Sequence, residues 1–190
     1  MSSIRRCRRW MACFTARPWS INRGVAAPID VHDTPESLGD VLASSVLEVV
    51  RADATANEMV LLGCPGGRSL RPTYEAIGRQ AARHCQDLSR LIVVMMDEYL
   101  VASDGKLVRC SPDAHYSCRR FGLKHIRDTF NAGLPPARQV SPENVWLPDP
   151  TEPEAYDRRI LAAGGICLFL LASGVSDGHV AFNPARHAAR

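Results

Sequence analysis

The chain has 190 residues, of which 46% are hydrophobic and 23% are charged, with a net charge of +3. This balance is typical of one globular domain with a proper core. The arginines concentrate before the first acid, Asp30, and the rest of the chain is close to neutral, so the charge does not indicate a nucleic-acid or membrane partner. No stretch approaches the roughly 20 apolar residues of a membrane span.

Residues 1–28 are rich in arginine and contain no acid, a composition shared with organellar transit peptides. They have neither a helical period nor strand alternation. We therefore interpret them as a basic, disordered extension or as the product of a start codon placed too far upstream. The folded domain is taken as residues 29–190.

The cysteines and histidines indicate neither disulfides nor a metal site. The seven cysteines form no Cys-x-x-Cys pair, and their odd number is typical of reduced thiols. Cys110, His115 and Cys118 are close in sequence but lack a second pair of ligands, so we expect no metal there.

From Ile29 onward the chain alternates helix and strand patterns. Thr34 as N-cap and Pro35 at the first helical position predict a helix that ends near Arg51. Three more helices are predicted. The first covers 72–85 and has Tyr74, Ile77, Ala81 and Cys85 on one face. The second covers 111–130 and starts at Ser111-Pro112-Asp113, and the third covers 152–163 after a capping-box spacing at Thr151–Glu154.

Short apolar runs predict strands over residues 58–63, 91–96, 144–147 and 166–172. This order of elements predicts a three-layer α/β domain with a mainly parallel, doubly wound, Rossmann-like sheet.

A glycine-rich loop follows the first predicted strand and precedes a helix. Its residues Gly66, Gly67, Arg68 and Ser69 combine open backbone amides, a cation and a hydroxyl, which suits the phosphate of a small molecule. The alternative is a simple tight turn, because the loop matches neither the dinucleotide fingerprint nor the P-loop.

Acidic and imidazole side chains follow two other predicted strands. Asp97 could act as a general base at a strand end, or equally cap a helix or stand in a solvated loop. Asp177 and His179, separated by one glycine, could orient and move a proton. Their alternative is a common Asp-Gly turn beside a surface histidine.

Three separated segments resemble the superfamily of glucosamine-6-phosphate deaminases and 6-phosphogluconolactonases. They are the glycine loop from Gly63 to Tyr74, the segment Met96-Asp97-Glu98-Tyr99, and the segment from Ser176 to Asn183. Tyr99 and Phe182-Asn183 resemble the deaminase branch more than the lactonase branch.

The resemblance implies aldose–ketose isomerisation and deamination of a hexosamine 6-phosphate. It assigns to Asp97 the proton transfer between C1 and C2 of the open-chain sugar, and to His179, oriented by Asp177, the opening of the sugar ring. Gly66 to Ser69 would grip the 6-phosphate. It implies no cofactor or metal, a cytoplasmic location and a homo-oligomer.

Two departures leave alternatives open. Pro184-Ala185 stands where deaminases usually have a Glu after Phe-Asn, and the chain ends soon after this motif, which suggests an incomplete domain. Lactone hydrolysis, with His179 activating water, is the second hypothesis. The third is an inactive, truncated relative that only binds a sugar phosphate.

Overall fold

The computed structural model describes residues 29–54 and 59–172. The basic stretch 1–28 and the predicted site residues Asp177 and His179 lie outside these described residues. In chain order the elements are α1 (Pro35–Ala54), β1 (Val60–Cys64), α2 (Arg71–His84), β2 (Leu91–Met95), β3 (Leu100–Ser103), β4 (Lys106–Arg109), α3 (Cys118–Phe121), a π-helical segment (Gly122–Arg127), α4 (Asp128–Asn131), β5 (Val145–Trp146), α5 (Pro153–Ala162) and β6 (Leu168–Phe169).

Four of the strands form one sheet in the order β5-β2-β1-β6, and every pair in it is parallel. β1 and β2 are buried at all five positions and pair in register from Val60 with Leu91 to Cys64 with Met95. Strands this apolar must be covered on both faces. The predicted mainly parallel α/β sheet is confirmed.

Helices cover both faces of the sheet, which gives the predicted three layers. On one face, helices α1 to α4 pack with the inward side chains of β1 and β2, among them Leu62 and Val93. On the other face, Leu61 and Ile92 pack against side chains of α5, including Tyr156. The alternation of neighbouring residues such as Leu61 and Leu62 follows from the two-residue period of a strand. None of the described helices is long and apolar enough to span a membrane.

The first helix begins where the sequence predicts. Thr34 Oγ1 accepts a hydrogen bond from the Ser37 amide at 3.1 Å, and Ser37 Oγ donates to the Thr34 carbonyl at 2.9 Å. Helix α2 is also close to its prediction, and Tyr74, Ile77 and Ala81 are fully buried. Cys85 was wrongly placed on that buried face, because it ends the helix in a left-handed conformation (φ 49°) and is exposed.

The start of the helix predicted from Ser111 is wrong. Residues 112–116 form turns, and the helix begins only at Cys118, after Ser117, whose hydroxyl accepts from the Arg120 amide at 3.2 Å. Gly122 then opens the π-helical segment. An added Cβ there would lie 2.9 Å from Val145 Cγ1, so glycine allows this helix to pack directly on the sheet.

The predicted capping box before α5 does not form. Thr151 instead donates through its amide and its hydroxyl to Asp149 Oδ1, at 2.9 and 2.7 Å, and Glu152 precedes the helix without a side-chain cap. The helix itself is confirmed. Its Tyr156 hydroxyl lies 2.8 Å from the Met95 carbonyl oxygen, which ties α5 to the end of β2.

The β3–β4 hairpin is absent from the sequence predictions. Its turn consists of Asp104 (φ 51°) and Gly105 (φ 73°), the Asp-Gly pair that favours a two-residue hairpin and that could have revealed it. Arg109 ties the hairpin to the loop after β5, because its Nη2 donates to the Pro148 carbonyl at 2.7 Å.

We expect Gly78→Ala to destabilise the fold. A Cβ at Gly78 would lie 2.2 Å from the Thr129 carbonyl oxygen, so α2 and α4 would have to separate. The expected cost is about 1–3 kcal/mol in urea denaturation, although alanine normally favours a helix interior by about 1 kcal/mol. Exposed Glu75→Ala in the same helix is the matched control. A Gly78→Ala midpoint at or above that of the wild type would contradict this close approach.

Candidate functional site

The chain order reverses between β1 and β6. β1, β2 and β5 follow one another toward one edge of the sheet, whereas β6 pairs on the other side of β1. In a doubly wound sheet, ligands bind beyond the carboxyl ends of the strands at such a switch point. The segments after β1, β2 and β6 therefore define the candidate site.

The predicted glycine loop and Asp97 lie at this same edge. The register pairs Cys64, the last residue of β1, with Met95, the last residue of β2. The segment after β6 starts beside them, since the Leu170 amide donates to the Gly63 carbonyl at 2.9 Å. This segment leads toward Asp177 and His179, which are outside the described residues, so the structure does not place them.

Asp97 is a partly buried carboxylate two residues after the end of β2. Burial raises the pKa of Asp97 above its ordinary value. The Cys118 thiol, which donates to Asp97 Oδ1 at 3.3 Å, lowers this pKa in part, and the negative charge of Glu98 raises it further. A carboxylate with a raised pKa is a stronger base, which suits a group that must remove and return a proton.

Glu98 was missed by the sequence reasoning, and it is Glu98, rather than Asp97, that caps α3. Its Oε1 accepts from the Cys118 amide at 2.8 Å and its Oε2 from the Arg119 amide at 2.9 Å. The Ser117 hydroxyl also donates to Oε2, at 3.3 Å. The carboxylate thus satisfies amides of the first helical turn and lies at the positive end of the helix dipole.

The sequence offered one signal for this role. Two consecutive acids at a strand end can point in different directions, so one of them can serve a neighbouring helix while the other faces the site. The sequence does not show which of the two acids caps the helix. The contact joins Glu98 to Cys118, 20 residues later, and local sequence patterns do not predict contacts over that distance.

The glycine loop has the properties of an anion site. Gly67 has φ +92°, a conformation that favours glycine, and nothing would lie within 4 Å of an added Cβ there or at Gly66. Arg68 and Ser69 are exposed. Helix α2 follows with no acid in its first turn, so its positive end is not neutralised locally.

A buried side chain of α2 is hydrogen-bonded to the start of the glycine loop. The buried Tyr74 hydroxyl donates to the Pro65 carbonyl at 2.7 Å, and the Tyr74 ring packs edge-on against Phe130 at 5.9 Å. The first residues of the loop are therefore fixed to the buried core.

Sequence comparison relates the chain to known enzymes, although no protein-family model matches it. The glucosamine-6-phosphate deaminases of Pseudarthrobacter chlorophenolicus and Porphyromonas gingivalis are 33% and 32% identical over 148 and 155 residues. These matches cover 77% and 78% of the chain but 50% and 52% of the relatives. The chain thus spans about half the length of the curated relatives it matches.

Solved structures agree on the fold. A monomeric glucosamine-6-phosphate deaminase superposes with a TM-score of 0.57 at 18% identity, over 78% of this chain and 56% of that one. The 6-phosphogluconolactonase of Trypanosoma brucei superposes with a TM-score of 0.56 at 19% identity, over 84% and 64%. By sequence and by fold, the chain is similar to members of the superfamily of glucosamine-6-phosphate deaminases and 6-phosphogluconolactonases.

The curated relatives named here distinguish the branches of this superfamily where the fold does not. Both carry the deaminase name, in agreement with the resemblance of Met96 to Tyr99 to the deaminase segment. The two superpositions, by contrast, are nearly equal.

We expect Glu98→Ala to lower the stability of the chain by about 2 kcal/mol, because several donors lose a charged acceptor. Glu98→Gln should lose less, since the amide oxygen still accepts from one helical amide. Urea denaturation gives the total, and hydrogen exchange at the amides of Cys118 and Arg119 locates it. Exposed Glu48→Ala in α1 is the control. Unchanged exchange at both amides in Glu98→Ala would disprove the cap.

Proposed function

We propose that this protein deaminates a hexosamine 6-phosphate by aldose–ketose isomerisation. The observation that carries the proposal is the partly buried Asp97 with its raised pKa, located at the same sheet edge as the glycine loop. The relatives named glucosamine-6-phosphate deaminase support the choice of substrate class.

The glycine loop would bind the 6-phosphate. Backbone amides at Gly66 and Gly67 and the positive end of α2 suit a dianion, and exposed Arg68 and Ser69 can add a charged and a neutral hydrogen bond. Binding the phosphate at one end of a flexible open-chain sugar would orient C1 and C2 toward Asp97.

Asp97 would then move the proton between C2 and C1. As a carboxylate it removes the proton from C2 of the open-chain amino aldehyde, and as a carboxylic acid it returns this proton to C1, while a proton passes from the ammonium nitrogen to the aldehyde oxygen. The resulting ketose imine takes up water at C2 and releases ammonia. Burial of Asp97 strengthens it as a base for this exchange.

His179 and Asp177 are proposed from the sequence resemblance alone. His179 would transfer a proton to the ring oxygen when the pyranose opens, and Asp177 would fix its tautomer. The segment that leaves β6 toward them begins at the same sheet edge as Asp97.

Hydrolysis of a sugar-phosphate lactone is the second candidate. The superposition on 6-phosphogluconolactonase is nearly as good as that on the deaminase. In this reaction His179 would activate water, and Asp97 would not be required.

Replacing Asp97 with Asn separates the two reactions. We expect Asp97→Asn to reduce ammonia release from glucosamine 6-phosphate by about 10²–10⁴-fold, because the amide cannot take up the C2 proton. Hydrolysis of 6-phosphogluconolactone, if it occurs, should be largely spared. His179→Ala is the paired variant, expected to slow both. An undiminished release of ammonia by Asp97→Asn would contradict the proposed base, and a folded chain that binds glucosamine 6-phosphate without turnover would indicate a binding protein.

The same variant should be at least as stable as the wild type at pH 7. Because folding raises the Asp97 pKa above its ordinary value of 3.8, ionisation destabilises the folded state as pH rises through the folded pKa. Asparagine removes this penalty, so its advantage in the urea midpoint should grow from acid toward neutral pH. A constant disadvantage at all pH values would disprove the burial effect.

Replacing Arg68 tests the phosphate loop. We expect Arg68→Ala to raise the KM for glucosamine 6-phosphate by about 10–100-fold through the loss of a charged hydrogen bond. Lysine at this position should restore part of the affinity, since it keeps the charge. Arg83→Ala, at the opposite end of α2 and exposed, removes the same net charge and is the control. An equal effect of both variants would favour general electrostatics over a phosphate contact.

We also infer a cytoplasmic location and a homo-oligomeric state. All five cysteines within the described part of the chain are free thiols, typical of a reducing compartment. The oligomer is carried over from the family resemblance, and analytical ultracentrifugation tests it.

A further inference from the structure

Cys118 is the first residue of α3, and its thiol contacts the carboxylate of Asp97. The Sγ–Oδ1 distance is 3.3 Å, and Cys118 is 7% exposed. Burial and the charges of Asp97 and Glu98 raise the pKa of the Cys118 thiol. The thiol therefore stays protonated at neutral pH and can act as a donor to Asp97.

The position of Cys118 is set by contacts that do not involve its thiol. Glu98 accepts from the Cys118 amide at 2.8 Å, and Ser117 caps the same helical turn through the Arg120 amide at 3.2 Å. Glu98 follows Asp97 directly in the sequence. Of these two neighbours, Glu98 caps the helix and Asp97 accepts the hydrogen bond from the thiol. These backbone contacts hold the first residue of α3 close to Asp97.

We infer that Cys118 is a positioning residue for the proton transfer by Asp97, an inference that rests on the proposed function. The thiol orients the carboxylate through Oδ1. As a donor to the charged form, it also offsets part of the cost of burying that charge.

Three titratable groups from three segments bear on this balance. Cys118 on α3 favours the ionised form of Asp97, whereas Glu98 on the same segment as Asp97 disfavours it. Cys110, after β4, contacts Glu98 rather than Asp97, with its Sγ 3.5 Å from Glu98 Oε1.

Direct titration of Asp97 tests the contact without any need for turnover. The side-chain carboxyl is followed by carbon-13 NMR in the full chain, and Asp97→Asn assigns its signal. Cys118→Ala and Cys118→Val both remove the donor, and valine also refills the volume of the thiol if alanine impairs folding. Both should raise the Asp97 pKa by about half a unit to one unit.

Cys118→Ser separates the donor from packing. Its hydroxyl can still donate, so the Asp97 titration should stay near the wild-type value. Cys64→Ala is the matched control, because Cys64 is also a buried thiol but is not among the groups that shift the Asp97 pKa. It should leave the Asp97 titration unchanged.

The kinetic measurement connects the contact to catalysis. In Cys118→Ala or Cys118→Val the acidic limb of kcat/KM for glucosamine 6-phosphate should move to higher pH in step with the NMR titration, while Cys118→Ser keeps the wild-type profile. An Asp97 pKa that does not rise in the donor-free variants, or that rises as far in Cys118→Ser, would overturn the inference. So would an acidic limb that stays in place while the NMR pKa moves. If the wild type releases no ammonia, the proposed function fails, and the NMR titration still decides whether Cys118 controls Asp97.

Discussion

The pairing of β1 with β2, with both strands buried on both faces, is the constraint on which the rest of this structure depends. Two five-residue strands without one exposed position need helices above and below them. The α1–α4 layer and α5 meet this need, and the in-register pairing brings the ends of both strands to one edge. The polar residues that follow the strands are therefore collected there.

At that edge, two consecutive acids have different environments. Glu98 lies among helix amides and a hydroxyl, which compensate its charge and make it structural. Asp97 is partly buried, and the Cys118 thiol donates to it. Burial raises the pKa of Asp97 and the thiol lowers it in part, and a shifted pKa is the property that acid–base chemistry uses. The environment of Asp97 depends on Glu98, since the helix that Glu98 caps carries the thiol that contacts Asp97.

The similarity to deaminases and lactonases indicates which reactions to consider for this arrangement. The fold likeness alone does not separate deaminase from lactonase, because both superpose comparably. The sequence relatives favour the deaminases. Chemistry at Asp97 distinguishes the two reactions, since isomerisation requires a base at carbon and lactone hydrolysis requires an activated water.

The sequence by itself determined the order of elements, the layered α/β class and the residues of the glycine loop and of Asp97. These follow from short-range signals: apolar runs, the Thr34 cap and the glycines between a strand and a helix. Only the tertiary structure decided that Glu98 caps α3 and that Cys118 meets Asp97, because these contacts join residues about twenty positions apart. The late start of that helix has the same cause, since its first turn is stabilised by a carboxylate from another strand end rather than by the local Ser111-Pro112-Asp113 signal.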